Sequence, residues 1–115
     1  MAKYLNTIRK FSNPKSHQVD MDSARAYLRN KLLRKDYGFD VLIKSVELWN
    51  EMLDECFPYI LDAVLETNSP IMDWVIENCS DLWFYENTPY HNGAFTHRFY
   101  FNSVRDATLF RLHWG

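Results

Sequence analysis

Arg98, Tyr100, Arg111 and His113 stand at two-residue intervals in two aromatic runs, THRFYF and LFRLHW. If both runs are strands, alternation places His97, Phe99 and Phe101 on one face of the first and Phe110, Leu112 and Trp114 on one face of the second. The two arginines, the tyrosine and the histidine then share the opposite face. Guanidinium and aromatic planes on a sheet can stack on unpaired bases while arginine meets phosphate. The same residue types also fit the wet side of a sheet covered on one face only. A second cationic group is Arg25 and Arg29, one helical turn apart, with Lys31, Arg34 and Lys35 beyond them. Such a row can neutralise phosphates or an acidic partner.

Glu47, Glu51, Asp54 and Glu55 form the opposite kind of group. A carboxylate array can imitate nucleic-acid phosphates and occupy the basic groove of another protein. It is also the ordinary solvated face of a helix, and with Asp62 it offers the basic stretch an intramolecular counterpart.

For catalysis, Tyr90, His91 and Asn92 near His97 can supply an acid, a base and a polar clamp. No glycine-rich phosphate loop, nucleophile elbow, HExxH or paired CxxC accompanies them, so no cofactor is implied. Cys56, Cys79, His91 and His97 match no compact zinc module in their spacing, and both cysteines fall among apolar neighbours. They read as buried, reduced thiols, and no metal is expected.

Several elements must position these groups. KYLNTIRKF (3–11) reads as a strand from its Tyr, Ile, Thr and Phe content, and SNPKSHQ breaks it. Asp20 or Asp22 caps a helix over about 21–36, with a basic end and Gly38 behind it. From Phe39 to Cys56 the apolar positions step by three and four, which is one stripe of a second helix. Pro58 breaks or kinks it, and a shorter helix is expected to run on to about Glu66. Ser69 as cap and Pro70 in the first turn begin a third unit, Ile71 to Cys79. DLWFYE and FTHRFYF then form a hairpin through a loop bearing Pro89 and Asn92-Gly93. Asn102 or Ser103 caps a short helix, and Phe110, Leu112 and Trp114 alternate like a closing strand. The expected fold is α+β: a single compact domain over 1–115, with three to four helices on one face of a small, mainly antiparallel sheet of three or four strands.

The composition agrees with one domain, at 47% hydrophobic and 17% aromatic residues with 3 Gly and 4 Pro. No apolar run is long enough to span a membrane, and the first residues lack signal-peptide character, so a cytoplasmic protein is expected. The net charge of −2 hides a polarised chain. Residues 1–35 hold nine Lys or Arg against two Asp, whereas 36–90 hold one Lys against twelve Asp or Glu. Those twelve carboxylates oppose the approach of a polyanion.

The final stretch, with Phe99, Phe101, Asp106, Ala107, Leu109, Phe110, Leu112 and Trp114, resembles the C-terminal segments of small proteins of tailed bacteriophages. The resemblance covers about the last 20 residues and implies a phage origin without an activity. The leading expectation is therefore a non-enzymatic phage protein, in the host cytoplasm, that binds and modulates a host or phage protein through Glu47, Glu51, Asp54 and Glu55. Nucleic-acid binding through Arg25, Arg29, Arg98, Tyr100, Arg111 and His113 is the alternative, and an enzyme using the histidine loop is third. A second copy of the chain is a further candidate partner.

Overall fold

The computed structural model describes residues 4–33, 39–65, 70–89 and 95–114. Ser69, the segment from Arg34 to Gly38, and Tyr90, His91 and Asn92 of the loop lie outside them, as do the side chains of Phe39, Leu42 and Ile43. The elements in chain order are α1 (Leu5–Arg9), α2 (Met21–Leu33), α3 (Phe39–Cys56), β1 (Tyr59–Leu65), α4 (Ile71–Asn78), β2 (Trp83–Pro89), β3 (Phe95–Phe101) and α5 (Val104–Trp114). The three strands form one antiparallel sheet in the order β1-β3-β2, so β3 is central. The α+β class and the antiparallel sheet stand as expected. The helices number five among the described residues, and they are divided over both faces of the sheet rather than gathered on one.

Strand periodicity explains that division. Even-numbered Phe84 and Tyr100 point into a core shared with Tyr4, Ile8, Val19, Leu28, Met52 and Phe57, beneath α1, α2 and α3. Odd-numbered Trp83, Phe99 and Phe101 point into a second core with Ile71, Val75, Ala107 and Phe110, beneath α4 and α5. Both faces of β3 are therefore aromatic and buried over Phe99–Phe101. Phe84 and Tyr100 lie ring on ring at 4.2 Å on the first side, and Phe99 meets Phe110 at 4.9 Å on the second.

Helices α2, α3 and α4 lie where spacing places them, with Pro70 at the N-cap position of α4 rather than in its first turn and no side-chain cap bond there. Asp20 is the cap of α2, its carboxylate accepting the N–H and hydroxyl of Ser23. Three elements differ from expectation. The first segment is a helix, because Tyr4, Ile8 and Phe11 are spaced by four and three and Glu55 caps its start by accepting the N–H groups of Tyr4 and Leu5. Residues 59–65 are a strand, not a helix continued from α3: Pro58 ends the helical ladder, and β3 offers seven residues of pairing from Tyr59↔Phe101 to Leu65↔Phe95. The chain closes on a helix, not a strand. Asp106, Ala107, Phe110 and Trp114 share one face of α5 at helical spacing, so Leu112 is turned outward and is 79% exposed rather than part of the core.

Candidate functional site

The α3-side face of the sheet carries a row of charges in register, Asp62 on β1, Arg98 on β3 and Glu86 on β2. Arg98 donates to Asp62 at 2.8 and 3.4 Å, and this carboxylate is the main reason its guanidinium holds its proton more tightly than usual. Glu86 accepts the Tyr100 hydroxyl at 3.0 Å and the Arg25 guanidinium at 3.0 Å. Burial, followed by Glu86, raises the Tyr100 phenol above its ordinary value. Arg25 also lies over the Trp49 ring at 4.4 Å.

The four residues read as one base-stacking face are not together. Arg98 and Tyr100 are on β3, but Tyr100 is buried against Phe84, and Arg98 is flanked by carboxylates. Arg111 and His113 are on α5, on the other side of the sheet, where His113 stacks on Trp74 at 5.1 Å. Their separation follows from the helical character of the final segment. Arg25 is engaged by Glu86 and Trp49, and Arg29 is an exposed cation further along α2. Among the described residues the basic helix thus meets Glu86 of β2 and the α3 tryptophan through Arg25.

Those carboxylates divide in two. Glu51 accepts the Tyr4 hydroxyl at 2.9 Å, and Glu55 caps α1, so both help to hold the first helix against α3. Glu47 and Asp54 are exposed, next to Val46 at 60% exposure.

On the opposite side of the sheet, Asp106 is a fully buried carboxylate. It accepts the Ser80 and Asp81 N–H groups and the Ser80 hydroxyl at 2.9–3.1 Å, which ties the loop after α4 to the start of α5. Cys56 and Cys79 are buried free thiols in different cores, separated by the sheet. Burial pushes both up to about 12, with Glu55 adding to the effect at Cys56 and Asp106 at Cys79. Burial that favours the protonated thiol works against nucleophilic reactivity at neutral pH. His97 lies beside the Tyr85 and Phe99 rings, its Nδ1 buried with no hydrogen-bond partner among the described residues, and burial lowers its pKa. Among the described residues no group of three or more His, Cys, Asp or Glu side chains is placed to hold a metal ion, and no helix is long and apolar enough to cross a membrane.

The sheet edges offer a different chemistry. Trp83 donates its N–H to the His17 carbonyl at 3.3 Å and accepts the Val19 N–H at 2.9 Å, so odd-numbered residues of β2 direct their backbone groups away from β3. Register then turns Ile60, Asp62 and Val64 of β1 outward in the same way. The segment His17–Val19 covers the β2 edge at Trp83 only, and it leaves the edge where Asp20 starts α2. His17, at φ 63°, takes the left-handed conformation that brings the chain onto the strand. The β1 edge is flanked by Tyr59 and Ile60, 37% and 49% exposed. Beside β2 lies an open groove of about 760 Å³, its walls including Phe11, Asp20, Met21, Asp22 and Tyr85. Sequence reasoning missed this groove, since SNPKSHQ read only as a break.

No protein-family model matches the chain, and no similar curated protein or solved structure was found.

Proposed function

We propose that this chain is a non-enzymatic binding protein, phage-encoded and acting in the host cytoplasm, that docks on a host or phage protein and modulates it. The observation that carries the reading is the open edge of β1. Ile60 and Asp62 present backbone donors and acceptors that no other described residue takes up, with the apolar side chains of Tyr59 and Ile60 exposed beside them. An uncovered strand edge with apolar flanks favours the addition of a partner's strand. Glu47, Asp54 and Val46 on α3 form a second exposed patch, to which a basic surface is complementary. The non-enzymatic part of the reading is supported by Glu51, Glu55, Asp106, Arg25, Arg98 and the two thiols, which are engaged in structural bonds or buried. Nucleic-acid binding has less support, because Arg25 and Arg98 are held by carboxylates and Tyr100 is covered.

The test is affinity capture from a bacterial lysate at physiological salt, with the wild type beside Ile60→Lys. The substitution puts a charge on the exposed edge and leaves both cores intact. The wild type retains a specific protein, and the variant releases it while melting as the wild type does. A wild type that retains nothing, or a variant that retains the same protein equally well, refutes the reading.

A further inference from the structure

The groove beside β2 continues a ladder that the chain itself begins and abandons. The segment His17–Val19 pairs in parallel with β2 at Trp83, through Gln18↔Trp83. Asp20 then turns back, donating its N–H to the Phe11 carbonyl and capping α2. The next outward-facing backbone groups of the strand, those of Tyr85 and Asn87, meet no other described residue. From Tyr85 to Pro89 the uncovered edge runs about 13 Å at 3.3 Å per residue, room for four or five residues of extended chain. Pro89, which has no N–H, ends it. The groove volume of about 760 Å³ lies within the range of binding clefts.

We infer that this groove receives an extended, cationic segment of a partner protein, which adds to β2 as a parallel strand in line with His17–Val19. Charge selects the occupant. Asp20 and Asp22 lie on the wall and Lys10 is the one cation among the described residues that line it, so this lining is net acidic. Hydrogen bonds from Ser23 lower the Asp20 pKa and keep its carboxylate charged. Side chains of an added strand point alternately to the two faces. The set directed to the α2 side runs its stems along Phe11 and Met21 and can bring Lys or Arg to Asp20 and Asp22, while the other set lies on the Tyr85 side. A strand with alternating apolar and basic residues fits both demands.

The inference rests on the binding reading for the class of partner, but it uses the other edge of the sheet, so the two fail separately. The probe is a blocked heptapeptide of alternating valine and lysine, titrated into isotope-labelled full-length protein and followed at each backbone amide. A valine and glutamate peptide is the control. Saturable binding of the lysine peptide, with exchange slowed at Tyr85 and Asn87, is expected, and the glutamate peptide should bind about tenfold more weakly or worse. Asp20→Asn with Asp22→Asn keeps a side-chain cap on α2, since Asn caps as well as Asp, and should bring the two peptides within about threefold of each other. Equal affinities of the wild type for both peptides, absence of saturation, or protection at Ile60 and Asp62 instead of Tyr85 overturns the inference. If peptide binding fails while Ile60→Lys still abolishes capture, the β1 reading stands and the β2 inference falls.

Discussion

Replacing Asp106 by Ala should cost about 3 to 4 kcal/mol of folding stability. The carboxylate is 0% exposed and accepts two backbone N–H groups, from Ser80 and Asp81, and the Ser80 hydroxyl. Hydrogen bonds to a charged acceptor contribute about 1.5 to 3 kcal/mol each. Ser80 is exposed, so its hydroxyl can return to water and its N–H is only partly stranded. Two backbone donors, one of them partly rehydrated, give the stated sum. Asp106→Asn keeps one acceptor oxygen but turns an NH2 group toward converging donors, so it should fall between the wild type and Ala. Ser80→Ala removes a single side-chain bond and should cost about 1.5 kcal/mol, the low end of that range, because Ser80 is exposed. Urea unfolding followed by tryptophan fluorescence measures all three, with an unchanged m value as the check that the unfolded state is comparable. A loss below about 1 kcal/mol for Asp106→Ala would refute the assignment of this carboxylate as the clasp between α4 and α5.

His97 gives a pH dependence. Its folded pKa lies below the ordinary value of about 6.5 because burial disfavours the charged ring, so the unfolded state takes up the proton first. This contribution is absent above about pH 7.5, and stability falls as pH drops through 6.5 toward the folded value; His97→Gln should flatten the curve there, and parallel curves would contradict the burial. The helical character of the final segment is tested by a pair of changes. Phe110→Ala should cost about 3 to 5 kcal/mol and Leu112→Lys less than about 0.5 kcal/mol by urea unfolding, whereas comparable costs would fit the strand reading instead.

Much of the fold can be read locally. Asp20 and the basic end of α2, the three-and-four steps of α3, and Pro70 before α4 are signals that lie within each element. The misread elements depend on distant residues. The α1 helix has only five residues, and its cap is the Glu55 carboxylate half the chain away. Tyr59–Leu65 is a strand because β3 is there to pair with it, and seven residues with Ile, Leu, Val and Ala carry no decisive period alone. In α5 two periods compete: Phe110, Leu112 and Trp114 alternate by two, but Ala107, Phe110 and Trp114 step by three and four, and the second is the one obeyed. The charged residues were legible as chemistry and not as geometry. Glu51 and Glu55 stand on the expected face of α3, yet their ligand is the Tyr4 end of α1. The groove depends on residues 10–23 lying against β2, a contact across more than sixty positions that no local pattern announces.

The place of β3 in the sheet has a consequence for how the protein is made. It sits between β1 and β2 but follows both of them in the chain. On a ribosome the two outer strands emerge before their common partner, β1 with no strand beside it and β2 with only His17–Val19 at Trp83, and Phe84 and Leu61 have no sheet to close over them. Pairing of β1 waits for residues about thirty to forty positions further on, so its loop must close late and at an entropic cost. Until then the nascent chain displays open edges and aromatic surface together, which is the combination that aggregates. Translation speed between Pro89 and Phe101, and chaperones able to hold an unpaired aromatic strand, should therefore govern the soluble yield of this protein more than its final stability does.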